Sequence, residues 1–430
     1  MTIVVLNVGS GSLRCSLFIL EGEVPSAAEP REPDWEAAVD SSAPGQPLGR
    51  HRVAVRRAGA PDSDGGLIDS RLAPRDRALA LLRLLWTGPK APLPGPDAVD
   101  VVGHRIVHGG ACFDRAARID AEVESVIAAW APAAPQHNPP ALDGIRAARD
   151  VFGEGAADVA VFDTAFHRTL PEAAAVYPGP HQWREEGIRR YGFHGTNFRW
   201  VAERSAHLLG RPGDPALRLV LCHLGSGCSL CATRGGHSVD TTMGFTPLDG
   251  IAMSTRPGAL DPGILLHLLR RGTTPAELEE LLERGSGLKG LSEISGDTRE
   301  LRPKAEAGNL HARLALDVFV HRLRAGIGQM IAALGDRPDA IVFTDAIAED
   351  EPELRAAACE PFAFLGLHLD LEKNRGARPD MDLSTGASPV RALLVGSREA
   401  WQIARECRGL LVRNLPKGAL QPRGQWVRTP

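Results

Sequence analysis

The sequence predicts a duplicated α/β fold with a cleft between its two copies, and three observations carry that expectation. The first is length. At 430 residues the chain exceeds one ordinary hydrophobic core, and two or three domains are expected. The second is an internal echo: residues 5–16 read VLNVGSGSLRCS and residues 220–231 read VLCHLGSGCSLC. In each, an apolar strand ends in a polar residue, passes through x-Gly-Ser-Gly and continues into a second strand. Glycine lets backbone amides approach an anion closely, and successive amides form an anion-binding nest. Two unrelated Gly-Ser turns are the alternative. The third is that polar motifs gather at the ends of expected strands, where α/β proteins build their sites. These motifs are GHRIVHGG (103–110), FDTAFH (162–167), RYGFHGTN (190–197) and HLGSG (223–227).

The elements follow in order. Residues 3–6 and 13–20 read as strands around the turn 9–12. Residues 21–65, rich in Pro, Ala, Gly, Ser and Asp, read as irregular surface. Residues 76–86 have helical spacing, 99–107 form a strand candidate, and 141–151 suit a helix. Residues 159–162 form a buried strand ending at Asp163. The clearest helix spans 311–334, where Leu314, Val318, Leu323, Ile327, Ile331 and Leu334 recur mostly at three- or four-residue steps. Strands at 340–343 and 391–395 and a last helix from about 398 to 409 complete the pattern.

Composition narrows the function. Hydrophobic residues make up 43% and charged residues 24%, with a net charge of −4. That balance offers no basis for binding nucleic acid or an anionic membrane. No run of 18 apolar residues and no secretory leader is visible, and seven scattered cysteines lack a disulfide-scaffold pattern, so a cytoplasmic protein is expected. The five lysines, Lys90, Lys289, Lys304, Lys373 and Lys417, include none in a GxxxxGK[ST] loop, which argues against a P-loop enzyme. Phosphate chemistry would then fall to arginine, backbone amides, hydroxyls and metal.

Arg105 follows an apolar strand, and Arg256 sits in the Gly- and Pro-rich stretch DTTMGFTPLDGIAMSTRPGALDP (240–262). Two arginines meeting in one cleft can bind a carboxylate and neutralise a phosphoryl group in transfer; either alone reads as an ordinary surface arginine. Asp163 at a strand end is a candidate Mg²⁺-linked carboxylate or a helix cap. His194 is a candidate hydrogen-bonding histidine or a satisfied core residue. His104 and His108 have H-x-x-x-H spacing without the glutamate of a zinc hydrolase, and a zinc site is not expected. Cys228 and Cys231 alternate on a strand and read as packing.

Together these segments resemble the acetate kinase family, within the acetate and sugar kinase/actin-like ATPase superfamily. LNVGSGSLRCSLF, GHRIVHGG, HNPPALDGI, FDTAFHRTLP, YGFHGTN, HLGSGCSL, SVDTTMGFTPLDGIAMSTRPGALDP, SGLKGLSEISGDTRE and IVFTDAIAED follow in family order over nearly the whole chain. The resemblance implies two RNase H-like α/β domains around a central cleft. Residues 1–164, completed by a C-terminal helix within 398–430, would form the first; residues 165–397, on the nucleotide side, would form the second. It implies reversible transfer of the ATP γ-phosphoryl group to acetate or propionate, with Mg²⁺ (or Mn²⁺) as cofactor and a homodimer as the assembly. Arg105, Asp163, His194 and Arg256 match the catalytic positions. Asn7, Ser10, Ser12, Arg14, His137, His223, Gly225 and Gly227 match substrate- and phosphate-binding positions. Asp297, Arg299, Ala346 and Ala348 match the nucleotide side, and Asn7 and Glu399 match the metal side.

The sequence also departs from that pattern. Arg14 stands where the family has lysine, and Ser226 where it has asparagine. In FTDAIAED two family glycines are Ala346 and Ala348, and a family asparagine is Asp350. If either alanine needed positive φ, the strain would be about 1–2 kcal/mol, and the added methyls would narrow a purine pocket. Two alternatives follow: the same acyl kinase chemistry with another donor such as pyrophosphate, or a non-catalytic binding homologue.

Overall fold

The computed structural model describes residues 1–9, 12–22, 26–40, 50–88 and 91–414. Ser10 and residues 415–430 of the expected C-terminal region lie outside the described residues. The first sheet is built from β1 (Thr2–Val8), β2 (Ser12–Ile19), β3 (Trp35–Asp40), β4 (Arg50–Arg57), β5 (Ala60–Asp69), β6 (Val101–Ile106), β7 (Ala117–Arg118) and β8 (Ala157–Phe162), in the order β5-β4-β3-β2-β1-β6-β8-β7. The second is built from β9 (Arg218–Leu224), β10 (Cys228–Arg234), β11 (His237–Thr241), β12 (Ala340–Thr344), β13 (Met381–Asp382) and β14 (Arg391–Leu394), in the order β11-β10-β9-β12-β14-β13.

The two sheets share one plan. In the first, β1 pairs antiparallel with β2 and parallel with β6, which pairs parallel with β8. In the second, β9 pairs antiparallel with β10 and parallel with β12, which pairs parallel with β14. The series β3-β2-β1-β6-β8 therefore repeats as β11-β10-β9-β12-β14, the duplicated RNase H-like, actin-like ATPase fold. The echoed segments are the β1–β2 and β9–β10 hairpins, at equivalent places. The parallel strands deliver their C-terminal ends, and with them Arg105, Asp163, His223 and Asp345, to one side of the fold.

Residues 21–65 are not irregular surface. They contain β3, β4 and the start of β5. Trp35, Ala37 and Val39 on β3 and Val53 and Val55 on β4 alternate inward and are buried. On β4 the outward positions include the exposed Arg52 and Arg56, and composition averages this period-two signal away. The other elements form where expected: the long helix is Leu310–Leu334, N-capped by the Asn309 side chain and ended by Gly335 in the left-handed conformation.

One core lies between the sheets. Ile3, Val5 and Val101 from the first meet Leu219, Leu221 and Val342 from the second, around Trp200 and Trp401. The C-terminal helix Glu399–Asn414 closes onto β6. A Cβ at Gly103 would stand 2.6 Å from the Cys407 sulfur and 2.8 Å from an Ile403 methyl, so glycine sets how closely the helix packs there. Phe18 and Trp401 pack in a tilted pair with ring centres 5.5 Å apart. This closure carries Glu399, the first residue of the helix, to the mouth of the cleft.

Candidate active site

The first wall of the cleft is an ion cluster. Asp163 has no solvent exposure. It accepts from Arg105 Nη2 at 2.7 Å and Nε at 3.1 Å, and from the Thr196 hydroxyl at 2.7 Å. Arg105 Nη1 meets the Glu399 carboxylate at 2.8 Å. Burial alone would weaken the guanidinium's hold on its proton, but Asp163 and Glu399 outweigh it and raise the Arg105 pKa. Burial pushes the Glu399 carboxyl up, Asp163 adds to that push, and Arg105 opposes both.

The second wall is built differently. Arg256 is mostly buried, and the only described hydrogen bond of its side chain is from Nη1 to the Pro247 carbonyl at 2.8 Å. Among the described residues no carboxylate pairs with it within 4 Å, and burial lowers its pKa. A Cβ at Gly227 would stand 2.7 Å from Arg256 Nη2 and 3.3 Å from His194 Nε2. The second Gly-Ser-Gly turn is therefore bare so that these two groups can lie against it.

His194 holds a left-handed backbone (φ 56°, ψ 20°) immediately before the helix Gly195–Leu208. A non-glycine residue pays of order 1–3 kcal/mol for such a conformation. Gly195 follows because a Cβ there would stand 1.9 Å from the Asp163 carbonyl oxygen. The His194 ring stacks on His223 at 3.9 Å, and its Nδ1 meets the Ser229 hydroxyl at 2.7 Å. Burial, then His223, Arg105 and Arg256, hold its pKa well below the ordinary value. It is neutral at pH 7, and with Nδ1 bonded to Ser229 its Nε2 is free to face the cleft. His223 Nδ1 meets the Asn197 amide nitrogen at 2.8 Å, and its Nε2 meets Asp345 Oδ2 at 3.2 Å. His137, just ahead of the helix Asn138–Phe152, is depressed to about 3 by burial and then by the Arg256 and Arg105 charges. That places its ring in the field of both arginines.

Asn7, Ser12, Arg14, Asp345, Glu349 and Glu399 line a cavity of 710 Å³ on this side of the fold. Arg14 is over half exposed, 3.8 Å from Glu36. Gly225 is covered by the Asp345 carboxylate: a Cβ at Gly225 would meet Oδ2 at 2.0 Å. Asp297 caps the helix Thr298–Glu306, accepting from the Arg299 amide at 2.9 Å. Their side chains pair at 2.7 Å, and Arg299 reaches Asp350 at 3.7 Å, at the end of the helix Ala346–Asp350.

The two substituted glycine positions carry no positive φ; in this segment only Asp345 does. Alanine is therefore unstrained at both. Ala348 is fully buried in the core and Ala346 is exposed, so the methyl expected to narrow a pocket at 348 points into packing instead. Four contributors were not assigned from the sequence. Thr196 and Asn197 sit inside the quoted YGFHGTN motif, Ser229 is hidden in the alternation of β10, and Asp345 was overshadowed by its alanine neighbours. Cys228 and Cys231 are fully buried on β10.

Several histidines are held neutral by burial. His108 and His167 are each depressed to about 4 from an ordinary 6.5. The unfolded chain takes up these protons near pH 6.5 and the folded chain only near pH 4, so acid favours the unfolded chain in that window. Stability should be flat above pH 7 and fall from pH 6.5 toward 4, by about 1.4 kcal/mol per pH unit for each such histidine. Thermal melting from pH 7.5 to 4.5 checks this, and an unchanged midpoint would refute it.

The family model of the acetokinase family matches residues 2–405. The chain is 47% identical over 420 residues to the acetate kinase of Synechococcus sp. (strain JA-2-3B'a(2-13)), covering 96% of this chain and 99% of that one. It is 45% identical to the acetate kinase of Gloeobacter violaceus, covering 95% and 98%. Among solved structures, Porphyromonas gingivalis acetate kinase superposes with a TM-score of 0.83 at 30% identity, covering 95% of this chain and 99% of that one. A propionate kinase from Francisella tularensis gives 0.82 at 29%, with the same coverage. With a family model spanning nearly its whole length and close relatives over all but its ends, this chain belongs to the acetokinase family.

Proposed function

We propose that this chain is an acetate kinase, reversibly transferring the γ-phosphoryl group of ATP to the carboxylate of acetate or propionate. The observation that carries this reading is Arg256: a buried cation with no carboxylate partner among the described residues, facing His194 Nε2 across a bare glycine turn. Such a group suits an anionic reactant.

An acceptor carboxylate oxygen attacks the γ-phosphorus, the bond to the β–γ bridging oxygen breaks, and ADP departs with that electron pair. A carboxylate is already ionised at pH 7, so no residue need remove a proton. The chain's task is alignment and charge neutralisation. Arg256 pairs with the acceptor or the phosphoryl oxygens. His194, neutral, donates one Nε2–H to an equatorial oxygen. Arg105 is held rigid by Asp163 and Glu399 and presents its outer edge. Asn7, Ser12 and the Gly227 amide surround the donor phosphates, with Gly225 closing the turn through its bond to the Gly227 carbonyl, while Asp297 and Arg299 lie toward the nucleoside. The amide oxygen of Asn7 and the carboxylate of Glu399 line one cavity, and oxygen donors of this kind fit Mg²⁺ or Mn²⁺. When bound there, the ion supplies charge neutralisation at the phosphate oxygens.

We further read the unit as residues 1–164 with the C-terminal helix, joined to residues 165–397, and as a cytoplasmic homodimer. Exposed Ile264, Leu266, Leu269 and Leu281 on the successive helices Pro262–Arg270 and Pro275–Arg284 support a paired surface. Seven free cysteines suit a reducing compartment. Among the described residues no helix is long and apolar enough to cross a membrane.

The test traps acyl phosphate as hydroxamate, with ATP or pyrophosphate as donor and acetate or propionate as acceptor. Product with ATP and Mg²⁺ is the expected result. Product only with pyrophosphate, or no product with either donor, would overturn the reading.

A further inference from the structure

Asp345 is the most strained residue of the cleft. Its φ of 76° and ψ of 172° lie in a region populated almost solely by glycine. It immediately precedes the helix Ala346–Asp350, but its side chain makes no capping hydrogen bond there, so capping does not explain the strain. The side chain turns instead into the cleft. Oδ2 lies 3.2 Å from His223 Nε2 and would be 2.0 Å from a Cβ on Gly225. The neighbours fix this orientation: Asn197 Nδ2 faces His223 Nδ1 at 2.8 Å, which leaves Nε2 carrying the proton donated to Asp345. A carboxylate thus lies on the glycine turn where the phosphates of a donor nucleotide would rest, across the turn from Arg256 and His194. It shares a cavity with Asn7 and Glu399.

We infer that Asp345 is a charge filter on the phosphate turn, admitting a nucleotide whose phosphate charge is neutralised by a divalent cation and disfavouring the same nucleotide without one. This inference rests on the kinase reading above. Two anions sharing a turn repel strongly at short range in a partly buried setting. A bare di- or triphosphate must displace the carboxylate or bind beside it, whereas a cation-bound one carries less charge to the same place. The filter acts on which form of the donor binds and needs no covalent step.

Calorimetric ADP binding, with Mg²⁺ and with EDTA, tests this in the parent, Asp345→Asn and Asp345→Gly. Asparagine keeps the size and removes the charge; glycine also removes the backbone strain and guards against a folding artefact. Both variants should bind ADP in EDTA at least about tenfold more tightly than the parent, with a much smaller change in Mg²⁺. Equal Kd values for all three proteins in EDTA would overturn the filter while leaving the kinase reading intact. Failure of all three folded proteins to bind ADP in either buffer would overturn the kinase reading and the filter with it.

Discussion

Replacing Arg105 with alanine is expected to lower kcat/KM for acyl phosphate formation by about 10³ and to cost about 3 kcal/mol of stability. The two losses share one cause. Arg105 is the counter-ion of Asp163, which has no solvent exposure, and of Glu399. Without it, two carboxylates face each other in a poorly solvated wall, with Thr196 left as a donor to Asp163. The same substitution removes a donor from the cleft. Arg105→Lys separates the effects: it restores a charge but not the fork that meets Asp163 through Nε and Nη2 and Glu399 through Nη1. Stability should recover further than rate. Urea unfolding beside steady-state kinetics measures both, and a kcat/KM within tenfold of the parent for Arg105→Ala would reject the assigned role.

Arg256→Ala should separate the two losses: kcat lower by about 10²–10³ with little loss of stability. No carboxylate pairs with it within 4 Å among the described residues; its charge eases only the partly buried Glu283 carboxylate at longer range, and burial already disfavours the cation. Removing a buried cation that no ion pair compensates relieves desolvation and offsets part of the lost packing. The contrast is diagnostic. A residue that also holds the scaffold, such as Arg105, costs stability as well as rate when deleted, and a residue held for a ligand alone costs rate. If Arg256→Ala unfolded as readily as Arg105→Ala, Arg256 would belong to the scaffold.

Much of this was legible in the sequence, for physical reasons that can be named. The duplication showed because both hairpins carry the same strand, x-Gly-Ser-Gly and strand series, and β1–β2 and β9–β10 pair antiparallel at equivalent places. Asp163 and Arg105 were visible because each ends or borders an apolar strand. The strands after residue 34 were missed because β3 is short and β4 alternates buried Val53 and Val55 with exposed Arg52 and Arg56, within a segment whose Gly- and Pro-rich composition averages that period away. Asp345 was missed for another reason. Its backbone conformation is imposed by its surroundings, and no local pattern announces a strained aspartate. The alanines beside it drew notice as losses of glycine, yet they occupy ordinary backbone, and the strain sits one residue earlier.

The packing of the last helix has a consequence for how the protein is made. Ile403 and Cys407 lie against Gly103 on β6, and Trp401 lies against Phe18 on β2. A sheet whose strands are all synthesised within the first 162 residues therefore keeps one apolar flank uncovered while some 240 further residues leave the ribosome. The same segment delivers Glu399 to Arg105. A growing chain can hold most of its secondary structure and still lack both its finished core and a complete cleft, so premature termination yields sticky, inactive fragments rather than a weakened enzyme.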